Sequence, residues 1–171
     1  MTNKERGQAI RAELKKAGYG TKQVSVRSRF CGYSDATDIT VKDITCNIEE
    51  IRKICEKYEK IDYDKYSGEI LSGGNTYISV QWDWDVIHNA TEERVEEAKK
   101  IVESTENGTT IFQNEKIKFV LCYDEKRDLY DIAEFENGER FGKIKITPCV
   151  KIQMVYTVAR ALATNFQELV A

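Results

Sequence analysis

The sequence predicts an α+β protein, and three observations carry that prediction. Apolar residues recur at helical spacing in three polar stretches. Period-two alternation of apolar and polar residues separates them. A last segment is apolar nearly all round, as a buried helix is. The expected order is an N-terminal α-β-β-α-β module, residues 1–88, with helices on one face of an antiparallel sheet. Residues 89–171 follow as a helix, a three-stranded antiparallel meander and a buried C-terminal helix, packed on the first part as one compact unit.

Residues 3–17 read as a helix, with Ile10, Leu14 and Ala17 on one side and Lys4, Gln8, Arg11 and Lys15 as a basic stripe on another. Gly18 and Gly20 stop it. In 22–30, Val24, Val26 and Phe30 point one way, and Arg27 and Arg29 the other. The turn CGYSDAT leads to a partner strand, 38–43, with Ile39 and Val41 inward and Lys42 outward. Asn47 is the expected cap of a helix over 47–60, with Glu50 three residues on. A long polar connector carrying Tyr63 and Tyr66 leads to a strand over 75–83, with Tyr77 and Gln81 on its polar face.

A helix over 91–104 is expected next, capped by Thr91 and stopped by Asn107-Gly108. Strands follow at 116–123, 129–136 and 140–146, with Asn137-Gly138 as a hairpin turn. Thr147-Pro148 reads as the start of the last helix, which runs through Val150, Ile152, Val155, Val158, Leu162, Phe166 and Leu169.

The 171 residues are 41% hydrophobic and 32% charged, which suits an ordinary core under a heavily charged surface. No apolar run approaches the roughly 20 residues that span a bilayer. The charged N-terminus has no signal-peptide core, so a cytoplasmic protein without membrane contact is expected. Five cysteines without C-x-x-C spacing and one histidine fit reduced thiols rather than a zinc site. Net charge is −3, yet residues 1–33 carry eight Lys/Arg against two Glu. Such asymmetry points to an electrostatically steered partner, or to basic residues packed beside acidic neighbours.

Two constellations are candidates for function. In WDWDVIH (82–88), Asp83 and Asp85 would share one face of a strand beside His88. With Glu69 they could hold Mg²⁺, the ion a nuclease would need, and His88 could act as acid or base. A solvated strand end is the plainer reading. No other cofactor and no preformed metal site is expected. The second constellation is basic and aromatic. Lys4, Arg11, Lys15, Lys22, Arg27, Arg29 and Lys42 could grip phosphates, while Tyr19, Tyr33, Tyr63, Tyr66 and Tyr77 stack on unpaired bases. No Walker loop, dinucleotide fingerprint or nucleophile elbow is present.

The segments AIRAELKK, KQVSVRSR, GYSDATDITVKD, IRKICEKYEKIDYDKYSGEIL and GGNTYISVQWDWD resemble a large polyvalent protein-associated domain over residues 4–85. Such modules occur in phage, prophage and plasmid proteins. The family has no agreed catalytic residues. The resemblance implies a mobile-element setting and a role in protecting incoming DNA. Short proteins of similar size in that setting act as anti-CRISPR proteins on type II Cas effector nucleases, some by guide RNA truncation. The expected partner is therefore the Cas effector nuclease, its guide RNA, or both. Either the basic N-terminal face makes the contact, or the acidic stretch 62–106 mimics nucleic acid. A ribonuclease acting on guide RNA and a non-catalytic nucleic-acid-binding accessory of a mobile element stay open as alternatives. The apolar C-terminal helix also offers a homodimer contact.

Overall fold

The computed structural model describes residues 1–104 and 108–170. Among them are six helices and two sheets, so the fold is α+β. The chain divides into two units, Met1–Val86 and Ile87–Ala171.

The first unit runs α1 (Asn3–Lys16), β1 (Val24–Cys31), β2 (Ser34–Val41), α2 (Ile48–Glu56) and β3 (Thr76–Trp82). Helix α1 begins with a capping box. The Thr2 hydroxyl accepts from Glu5 N–H, and the Glu5 carboxylate accepts from Thr2 N–H. Asn47 caps α2 as expected, accepting from Glu50 N–H. The core joins Ile10 and Leu14 of α1 to Val24, Val26, Ile39 and Val41 of the sheet and to Ile51 and Cys55 of α2. At Gly7 an added Cβ would lie 2.9 Å from Ser28 Oγ, so only glycine lets α1 approach β1 this closely.

The sheet order is β1-β2-β3. Strands β1 and β2 form the expected antiparallel hairpin, with Arg27 opposite Asp38. The expectation of a wholly antiparallel sheet fails at β3, which pairs parallel to β2, Asp35 opposite Thr76 and Val41 opposite Trp82. The reason is the connection. Helix α2 and the connector carry the chain back to the starting end of β2, as a parallel pair requires. Phe30 is 72% exposed instead of facing the core.

The connector is an ordered arm. Tyr63 bridges to Ile70 in antiparallel fashion, and Asp64 accepts from the N–H groups of Tyr66 and Ser67 at its tip. Asn75, fully buried, holds its base. Its Oδ1 accepts from Asp62 N–H, and its Nδ2 donates to the Leu71 carbonyl and the Tyr77 hydroxyl.

Helix α3 (Trp84–Glu92) follows, then α4 (Val95–Glu103), where one helix over 91–104 is expected. Thr91 is no cap. It is buried in α3 and its hydroxyl donates to the Ile87 carbonyl at 2.6 Å. Of the expected stop, Asn107 lies outside the described residues.

The second unit's sheet has four strands rather than three: β4 (Thr109–Gln113), β5 (Ile117–Asp124), β6 (Leu129–Glu136) and β7 (Lys143–Cys149), antiparallel throughout. β4 is short and irregular, with a register shift between Thr110 and Phe112, which hides its period. Asn137 and Gly138 take positive φ, as their turn demands, and the chain re-enters the sheet at Lys143. Thr147-Pro148 lies in β7 and not at a helix start. β7 is an edge strand, where a missing N–H costs no ladder bond. Helix α5 (Lys151–Ala163) therefore begins three residues later than expected, with Val150 rather than Thr147 at its cap.

Asn165 and Phe166 have positive φ and end α5 before the short α6 (Gln167–Val170). Met154, Val155, Val158, Ala159 and Ala161 of α5 pack with Phe119, Leu121 and Ile132 of the sheet. Phe112 and Phe166 stack at 4.7 Å between ring centroids. No helix among the described residues is long and apolar enough to cross a membrane.

Candidate nucleic-acid interface

The carboxylates and histidine of 82–88 do not sit on one strand. β3 ends at Trp82 and α3 starts at Trp84, so the period-two argument for Asp83 and Asp85 fails. Asp83 accepts from Asp85 N–H at 3.2 Å and its own N–H donates to the Val41 carbonyl. It does the work of a helix cap. Asp85 and His88 are exposed on α3, and Glu69 is exposed on the connector arm. Among the described residues no group of three or more His, Cys, Asp or Glu is placed to hold a metal ion. Trp82 is buried, whereas Trp84 is 70% exposed. The described cysteines are all free thiols, and burial pushes that of Cys55 up to about 11.

The basic and aromatic residues fall into three groups on the first unit. Lys4, Arg11 and Lys15 lie along α1, on the side of the sheet that α1 covers. Arg27 and Arg29 project from the opposite face of β1, because odd residues alternate with the core-facing Val24 and Val26. Tyr77 shares that face through its position beside Ala36. Lys42 follows β2 and donates its N–H to the Gln23 carbonyl, which brings it to the end of the sheet where Lys22 lies.

Tyr33, Tyr63 and Tyr66 form the third group, at the other end. Tyr33 sits in the β1–β2 turn, and its carbonyl accepts from Gly74 N–H at 2.8 Å, beside the base of the connector arm. Gly73 and Gly74 both take positive φ there. Tyr66, at the arm's tip, is 100% exposed. β1 has eight residues, so about 25 Å of sheet separates this end from Lys22 and Lys42. The tyrosines thus cap the track of cations rather than interleave with it.

Electrostatics sort the cations further. Asp38 lies directly opposite Arg27, but its carboxylate accepts from Arg29 Nε at 2.8 Å. Arg29 is thereby paired and Arg27 is not. Arg6, unremarked in the sequence, is buried and paired with Asp35 at 3.2 Å, with Asn3 closing the network. Arg11 donates to the Val26 carbonyl. None of Lys4, Arg11, Lys15, Lys22, Arg27 and Lys42 forms an ion pair among the described residues.

Tyr77 is tied to Asn75, which leaves its ring less free to stack than the other tyrosines. Tyr19 belongs to the packing of the helices. Burial and its hydrogen bond to Glu50 push its pKa up to about 12. Tyr58 behaves alike, through burial and Glu13, and the sequence offers no sign of either pairing. No family model matches this chain, and neither a curated protein nor a solved structure matches it.

Proposed function

We propose that the N-terminal unit binds single-stranded RNA, and that the protein is a mobile-element anti-defence protein that acts on a type II Cas effector nuclease through its guide RNA. One observation carries the RNA reading. Lys4, Arg11, Lys15, Lys22, Arg27 and Lys42 have no ion pair among the described residues, although acidic residues outnumber basic ones in 34–86. Phosphates are the ligand that such cations favour, and exposed tyrosines at the end of the track suit splayed bases.

The resemblance of residues 4–85 to polyvalent-protein-associated modules supports the anti-defence setting. The acidic stretch 62–106 is a poorer nucleic-acid mimic. Glu96, Glu97 and Glu103 are engaged by Lys99, Arg94 and Lys151.

The test is binding of the full chain to guide RNA alone, to the effector alone and to the assembled complex, over a range of salt. Guide RNA should bind, with affinity falling steeply as salt rises. Lys22→Glu with Arg27→Glu should shallow the salt slope by about 1.4, two phosphate contacts on a single strand. Absence of binding to both guide RNA and the assembled complex overturns the proposal. Binding to RNA without any effect on the effector reduces it to the accessory reading. RNA cleavage lost on adding EDTA and on Asp83→Ala replaces it with the ribonuclease reading.

A further inference from the structure

Strand β1 is an edge strand, and its outer edge is largely unpaired. Lys42 N–H reaches the Gln23 carbonyl, so the odd residues of β1 exchange main-chain bonds with β2 and the even ones point outward. Two outward groups have partners. Val24 N–H donates to the Gly20 carbonyl, and the Val26 carbonyl accepts from Arg11. The N–H of Val26 and both main-chain groups of Ser28 and Phe30 have none among the described residues.

A trough follows this edge, beneath the basic stripe of α1. One hollow, of about 460 Å³, is lined by Arg11, Leu14, Lys15, Tyr19, Val24 and Val26. A second, of about 450 Å³, is lined by Lys4, Gly7, Gln8, Arg11 and Ser28. Arg11 belongs to both and bridges the trough through its bond to Val26. The first hollow is mostly apolar and the rim on the α1 side is basic, with Lys4, Arg11 and Lys15.

From this arrangement we infer that the trough receives an extended acidic segment of a partner protein, added as a further strand on β1. The edge supplies main-chain bonds at Val26, Ser28 and Phe30, the usual source of affinity in strand addition. Alternate side chains of the added strand enter the trough, where the hollow beside Leu14 and Val24 takes an apolar residue. Its carboxylates on the trough face meet Lys4, Arg11 and Lys15, and those on the opposite face of the sheet meet Arg27. A second copy of β1 suits this edge poorly, since it would set Arg27 and Arg29 against like charges. Arg11 acts as a latch. It leaves the Val26 carbonyl when the strand pairs, and takes a carboxylate instead. The inference goes beyond the RNA reading, because it concerns the edge of β1 and predicts a protein ligand.

The probe is an eight-residue peptide, Glu-Glu-Val-Val repeated twice, the length of β1 and with Glu and Val on each of its faces, titrated into the full chain. Amide hydrogen exchange by NMR is the readout. Exchange at Val26, Ser28 and Phe30 should slow by about tenfold or more, as newly bonded amides do. The Arg11 guanidinium resonance should shift at the same time. The same peptide N-methylated at alternate residues should bind at least about tenfold more weakly, having lost its main-chain donors. A Lys–Val peptide should not bind. Lys4→Glu with Lys15→Glu should weaken the Glu–Val peptide by about tenfold at low salt.

Unchanged exchange at the three amides overturns the inference, as does equal binding of the N-methylated peptide. The basic edge would then only guard β1 against pairing. An oligouridine that protects the same amides would make the trough a nucleic-acid site instead. Loss of guide RNA binding alone, with the peptide result intact, would sink the RNA reading and leave this one standing.

Discussion

The two units solve the same problem differently, and the contrast lies in where their charges go. In the second unit, carboxylates and cations alternate locally. Lys99 pairs with Glu96 and Arg94 with Glu97 along α4, and Lys145 reaches Glu134 across the sheet. In the first unit the basic residues collect in 1–33 and the acidic ones come later, so pairing requires the chain to fold back. It does so for Arg6 with Asp35 and Arg29 with Asp38, and the other Lys and Arg of 1–33 form no ion pair among the described residues. Surface pairs contribute little to stability, so this unpaired surface costs the fold little. It is available to a ligand.

The largest effect expected from breaking this contrast is in the second unit's core. Phe119 is fully buried and packs against Phe112 and Phe166. Phe119→Ala should cost about 3–5 kcal/mol in chemical denaturation. Hydrogen exchange should show the loss in β4–β7 and not in β1–β3. Equal loss in both sheets would refute their separate packing.

Next comes the buried ion pair of the first unit, Arg6 with Asp35. Asp35→Ala should cost about 3 kcal/mol, because it strands the buried Arg6 guanidinium. Arg29→Ala, which removes an exposed pair with Asp38, should leave stability almost unchanged. Equal destabilisation by the two variants would mean that the exposed Arg29 pair supports the fold as much as the buried Arg6 pair does.

Asn75→Ala should cost about 2 kcal/mol by leaving main-chain groups of the connector arm unsatisfied. Its sharper signature is faster amide exchange at Asp62, without a change in the β1–β2 hairpin.

The smallest effect is alkaline. Tyr19 and Tyr58 have folded-state pKa values raised from 10.0 to about 12. Their contribution to stability is complete below pH 10 and declines as pH rises towards about 12. Spectrophotometric titration should show Tyr19 and Tyr58 among the late-ionising tyrosines. Tyr58→Phe should flatten part of the stability loss in that window.

Much of the fold was legible in the chain because it rests on local patterns. The alternation from Val24 to Arg27, Asn47 as a cap and the Asn137-Gly138 turn are read from neighbours in sequence, and all three stand in the structure. Trp82-Asp83-Trp84-Asp85 misled because a strand and a helix share that stretch, and the handover at Asp83 leaves no break in composition. Thr147-Pro148 misled because proline suits an edge strand as well as a helix start.

By itself, the sequence determined the α+β class, most elements and the gathering of basic residues near the N-terminus. Tertiary structure decided the rest, because register, sheet direction and ion pairing join residues far apart in the chain. It set β3 parallel to β2, gave Asp38 to Arg29 rather than Arg27, and laid the stripe of α1 along the unpaired edge of β1. None of these is a property of a short window, since each depends on which strand ends beside which.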